Sequence, residues 1–91
     1  MAYTNGHDFE YTLVKEIATL GMTAKFSNEL NIVAWNGYPA KYDIRRYKVR
    51  SDGSQSPTKG IALTCEEMKN LKAALNEIDD FEEYLEEHTR G

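Results

Sequence analysis

The chain has 91 residues, 41% of them hydrophobic, and a formal net charge of −4. That length makes one domain with a modest core, the size at which pairing with a second copy often supplies further burial. Its single cysteine, Cys65, excludes an internal disulfide and any multi-cysteine metal site, and no apolar run approaches the roughly 20 residues of a membrane helix.

Residues 1–8 have neither the basic start nor the apolar middle of a signal peptide, and read as a flexible N-terminus of a cytoplasmic protein. Residues 9–20 support two readings. Phe9, Tyr11, Leu13 and Ile17 share a face if the segment is a strand. Phe9, Leu13, Ile17 and Leu20 share one if it is a helix capped by Asp8 and stopped by Gly21. Residues 21–28 read as a loop. From Glu29 to Asn36 the residues alternate, with Leu30, Ile32 and Ala34 on one face and Asn31, Val33 and Trp35 on the other. Asn36-Gly37 is the dipeptide of a tight hairpin turn, and Pro39 marks entry to the next strand.

From Lys41 to Arg50 alternation sets Lys41, Asp43, Arg45 and Tyr47 on one face, and Tyr42, Ile44, Arg46 and Lys48 on the other. Tyr42 and Ile44 read as core. Residues 51–57 are a polar loop, and Lys59 to Leu63 forms the last strand. Strict alternation puts Lys59 with Ile61 and Leu63, so a twist or bulge near Gly60 is needed to carry it to the other side. Thr64-Cys-Glu-Glu67 is a capping box that opens a helix. Met68, Leu71, Leu75 and Ile78 form its apolar stripe, which predicts a helix to about residue 79 followed by an acidic end, 81–91.

The acidic net charge hides an uneven distribution: residues 41–60 carry +4, residues 61–91 carry −6 and residues 1–40 carry −2. Surface potential is local because salt screens charges beyond about 8–10 Å. Cations interleaved with aromatic rings suit a nucleic-acid strand, with charge for phosphates and flat faces for bases. The acidic helix repels such a strand from its own side.

The run Asp43-Ile-Arg45-x-Tyr47, the run Lys59-Gly-Ile-x-Leu63 and a helix with Leu71-Lys72 and Ile78-Asp79-Asp80 resemble the transcriptional coactivator family of positive cofactor four, above all its small bacterial YdbC-like members. The resemblance covers about residues 31–80. It implies an α+β fold, a curved four-stranded antiparallel sheet followed by a C-terminal helix (β-β-β-β-α), assembled as a homodimer, and it favours a strand for residues 9–20. It implies single-stranded DNA, or melted duplex, bound with little sequence preference on the sheet face opposite the helix. Arg45 matches a backbone-contacting arginine, Lys59 the basic residue before Gly-Ile, and Trp35 an aromatic base-stacking position. Lys41 falls near a strand lysine. Lys48 replaces a common aromatic, with Tyr47 as its substitute if the strand bulges. Human-type members also carry a long Ser- and Lys-rich regulatory N-terminal tail that this sequence does not show, so coactivator activity does not follow from the resemblance.

These readings give a non-enzymatic domain, 1–91, that needs no cofactor or metal. It pairs through Met68, Leu71, Leu75 and Ile78, and binds single-stranded DNA, with RNA also compatible, in transcription, replication or repair. Proteins of those processes are expected partners, and a membrane is not. The rival reading is an interaction adaptor whose basic strip meets an acidic protein. No Ser/His/Asp set, phosphate-binding glycine loop or metal-ligand spacing marks an enzyme.

Overall fold

A computed structural model describes residues 10–90; the expected flexible segment 1–8 and Phe9 lie outside the described residues. Strands β1 (Tyr11–Met22), β2 (Phe26–Trp35), β3 (Lys41–Val49) and β4 (Gln55–Leu63) pair antiparallel in chain order. Helices α1 (Cys65–Asn76) and α2 (Phe81–Thr89) follow. The expected β-β-β-β-α order is present, with a second helix where an acidic end was read.

Three short turns set the register. Asn36 and Gly37 take φ of 51° and 81°, the left-handed pair a type I′ turn requires, and the Tyr38 N–H donates to the Trp35 carbonyl at 2.9 Å. The Thr23 hydroxyl accepts from the Lys25 and Phe26 amides at 3.2 and 3.1 Å, closing the first hairpin within three residues. Residues 21, 22 and 26–28 are therefore strand rather than loop. The Asp52 carboxylate accepts from the Ser54 amide and hydroxyl at 2.9 and 2.7 Å, bonds that hold its pKa below the ordinary value. This compact turn lets β4 begin at Gln55, four residues before the expected start. Pro57 is tolerated because β4 is an edge strand.

Strand β1 settles the ambiguous segment and departs from simple alternation. Its pairing with β2 slips three times, between Leu13 and Lys15, Glu16 and Ala18, and Thr19 and Gly21. Each slip leaves one extra residue, Val14, Ile17 and Leu20 in turn, all exposed. Repeated bulges bend and twist a strand, and blunt an edge against pairing with another sheet.

The most buried side chains lie on the face opposite the one expected to form the core. Ser27, Asn31, Val33, Asp43 and Tyr47 are buried there, whereas Leu30, Ile32, Ala34, Tyr42 and Ile44 are only half-buried. The bent β1 explains the difference. A cavity of about 590 Å³ is lined by β1 together with Tyr47 and Gln55 of β3 and β4, so β2 is its floor. Among the described helices, α1 is the one that approaches the sheet, at β3 and β4.

Helix α1 opens on the expected capping box: the Glu67 amide donates to Thr64 Oγ1 at 3.1 Å and the Thr64 amide to Glu67 Oε1 at 2.9 Å. Met68, Leu71 and Ile78 are half-buried, but Leu75 is 44% exposed. The helix ends at Asn76 rather than near 79, because Asp80 starts another. Its carboxylate accepts from the Glu83 amide at 2.9 Å. No Cα of α2 lies within 8 Å of a strand.

Candidate nucleic-acid interface

Trp35 ends β2 and shares a face with Lys41, Asp43, Arg45 and Tyr47 of β3, as alternation and register require. Its indole N–H donates to Asp43 Oδ2 at 3.1 Å. The Arg45 guanidinium carbon sits 4.7 Å from the indole centroid, close enough for cation–π attraction. Tyr11, opposite Trp35 on β1, places its ring centroid 5.2 Å away at a 34° tilt. Arg45 is held in place from both sides: Nε and Nη2 donate to Asp43 at 2.9 and 3.0 Å, and Nη1 donates to the Thr58 carbonyl at 2.9 Å. Its charge is compensated by Asp43, and the arginine that the resemblance sets against a phosphate here lies over an indole. Lys41 is exposed at the start of β3 on the same face.

The cationic run is divided between the two faces. The Trp35 face sets Lys41 and Arg45 against Glu16, Glu29 and Asp43. The Ile44 face carries Lys15, Arg46 and Lys48, and none of its described paired positions is a carboxylate. Arg46 lies over Phe26, 4.9 Å from the ring centroid, and its Nε donates to Asn28 Oδ1 at 3.0 Å. Lys48 is opposite Phe26 on β2. Lys48 is thus not brought together with Trp35 and Lys41.

The bulge that Lys59 needs is present. Arg45 pairs with Gly60 and Tyr47 with Pro57, so Thr58 and Lys59 together oppose Arg46. The Thr58 hydroxyl donates to the Arg46 carbonyl at 2.7 Å. That bulge leaves Lys59 exposed on the edge strand, against the Arg46 end of the sheet rather than beside Trp35. Gly60 is a steric requirement: a Cβ there would lie 2.5 Å from the Ile44 carbonyl oxygen and 2.6 Å from Arg45 Cβ.

Tyr47 shares the face of Trp35 but is only 4% exposed, so its ring offers no surface on which a base could stack. It lines the cavity instead. Its hydroxyl completes no hydrogen bond of good geometry; burial pushes its pKa up, the charges of Asp43 and Glu29 add to the rise, and the neighbouring Asn31 side chain acts against it. Sequence reasoning missed Tyr11, hidden in the ambiguous segment, and Phe26, read as loop. It set Asp43 on the face of Arg45 without pairing the two, and gave Glu29 no role beyond opening a strand. The two-residue spacing of Asp43 and Arg45, and of Ser27, Glu29 and Asn31, was the available signal for their pairing.

No helix among the described residues is long and apolar enough to cross a membrane, and no three His, Cys, Asp or Glu side chains there gather as a metal site. A family model described as Transcriptional Coactivator p15 (PC4) matches residues 26–74. An uncharacterized protein of Treponema pallidum (strain Nichols) is 36% identical over 72 residues, covering 78% of this chain and 81% of that protein. The matched span takes in β2, β3, β4 and most of α1, and so the Trp35–Asp43–Arg45 cluster and the β4 bulge.

Proposed function

The chain belongs to the family of the transcriptional coactivator p15 (PC4), a non-enzymatic family known for binding single-stranded DNA, and on that premise we propose that it binds single-stranded DNA with little sequence preference. The observation that carries the proposal is the cluster of Trp35, Tyr11 and Arg45, aromatic rings and a guanidinium fixed by a buried carboxylate. Trp35 contributes aromatic stacking to bases, and Lys41 beside it neutralises phosphate. Because β4 is an edge strand, the two sheet faces meet along it, and a strand crossing that edge reaches Lys59, Arg46 and Lys48. The process served is transcription, replication or repair in the cytoplasm, with proteins of that process as partners.

The domain acts as a homodimer in this reading. Ile61 is 56% exposed and Leu75 44%, and Phe81, Tyr84 and Leu85 are exposed along α2. Apolar surface of that extent in a short chain favours a second copy as its cover. Two binding faces on one dimer let a single strand engage both and gain avidity.

The test is fluorescence anisotropy of a labelled oligo-dT of about 20 nucleotides at two salt concentrations, with duplex as competitor. Salt-sensitive binding that duplex does not displace is expected, and Trp35→Ala should weaken it by about 1–3 kcal/mol, the worth of one stacked base. Equal competition by duplex would favour the adaptor reading, in which the basic residues meet an acidic protein.

A further inference from the structure

The cavity over β2 holds two polar groups with hydrogen-bonding capacity to spare. Glu29 is half-buried on its floor, with one carboxylate oxygen accepting from the Ser27 hydroxyl at 2.7 Å and the other from the Asn31 amide at 3.2 Å. Those two bonds fix the carboxylate plane and leave lone pairs on both oxygens. Arg45 is the residue opposite Glu29 on β3, yet the Arg45 donors go to Asp43 and Thr58. Among the described residues Glu29 has no ion-pair partner. The second group is the Tyr47 hydroxyl, buried in the same cavity near the Asn31 side chain and completing no hydrogen bond of good geometry, so its own proton is free to be donated. A buried polar group left unpaired is costly, so an occupant that satisfies both would be held firmly. Tyr11, Leu13, Ile17 and Met22 supply apolar walls.

We propose that this cavity is a base-reading pocket that takes a single unstacked guanine from the bound strand. The proposal rests on the single-strand reading above and adds a preference to it. Guanine alone among the four bases presents two adjacent N–H donors, N1–H and the N2 amino group, which match a fixed carboxylate in two parallel hydrogen bonds. Its O6 lies beside N1 and accepts from a hydroxyl, the donor that Tyr47 has to spare. Adenine and cytosine each set a ring-nitrogen acceptor next to their amino group, against the carboxylate. Thymine offers one donor flanked by two carbonyls. Bases outside a duplex are read along these edges by other single-strand binders. The acidic floor repels phosphate, which keeps the backbone outside the pocket, toward Lys41 and the β4 edge.

The experiment compares oligo-dT of about 20 nucleotides with the same strand carrying one central dG, deoxyinosine or dA, by anisotropy at one salt concentration, given the salt dependence of all such binding. A well-made bidentate contact predicts roughly tenfold tighter binding of the dG strand than of oligo-dT. Deoxyinosine, which lacks only the N2 amino group, should lose most of that gain, and dA all of it. Glu29→Gln should bring the dG-to-dT affinity ratio close to one. Tyr47→Phe should lower the ratio with the packing of the ring preserved, so the proposal stands or falls even if the Glu29 variant fails to fold. Equal affinity for the four strands, with oligo-dT bound, overturns the pocket and leaves single-strand binding intact. No binding to any strand overturns both.

Discussion

Asp43 and Arg45 stand two residues apart on β3, share one face of the sheet, and are joined by two hydrogen bonds of 2.9 and 3.0 Å. The carboxylate is fully buried and also receives the Trp35 indole N–H. A buried carboxylate is tolerable only with such partners, and removing one strands the charge. Arg45→Ala is therefore expected to destabilise the protein by about 3–5 kcal/mol in urea unfolding. The double variant Asp43→Asn, Arg45→Gln should lose less than Arg45→Ala alone, because no charge is left buried. A single-variant loss below about 1 kcal/mol, the scale of an exposed pair, would mean that the pair is solvated and does not position Trp35.

The cations that remain uncompensated predict a different signature. Arg46 and Lys48 lie on a face whose described paired positions carry no carboxylate, so each can release a counterion when a phosphate approaches. Arg46→Gln and Lys48→Gln should each flatten the slope of log affinity against log salt by about one while weakening all sequences alike. An unchanged slope in both variants would place the strand entirely on the Trp35 face.

Much of this was legible in the residues. Asn36-Gly37 and the Thr64–Glu67 capping box are local chemistry, decided within four residues, and both formed as read. The first strand was not legible, for a physical reason. With a bulge every third residue, the β1 positions that follow Tyr11 on the Trp35 face become Leu13, Glu16, Thr19 and Met22, and the extra residues become Val14, Ile17 and Leu20. A period of three inside a strand imitates the spacing of a helix, so the periodicity of residues 9–20 could not separate the two. The site was half legible. Alternation put Trp35, Lys41 and Arg45 together, but strand phase alone does not reveal that Asp43 neutralises Arg45, nor that the bend of β1 buries Tyr47.

Gly60 links the β4 bulge to this cluster. A methyl group there meets the backbone of Ile44 and the Cα and Cβ of Arg45, none of which is the far end of a flexible chain. Gly60→Ala should cost about 1–3 kcal/mol, as overpacking does, and should move the Arg45 guanidinium off Trp35. Indole fluorescence followed through urea unfolding reads both effects at once. Unchanged stability and an unchanged emission maximum would show that β4 can shift without disturbing Arg45.

The buried phenol of Tyr47 gives the protein an alkaline limit. Burial favours the neutral hydroxyl, so its pKa in the folded state lies above the ordinary value near 10. The unfolded chain releases its proton first as pH rises, so this contribution to stability is complete below about pH 10 and is lost as pH climbs through the raised value. Tyr47→Phe removes both the titration and a hydroxyl that completes no hydrogen bond of good geometry. The variant should be at least as stable at pH 7, and its stability should decline less than the wild type's above about pH 10, measured by urea unfolding across that range. If instead Tyr47→Phe is clearly less stable at neutral pH, the hydroxyl has a partner in solution. The group placed to supply it is the Asn31 side chain, with which a guanine edge would then have to compete.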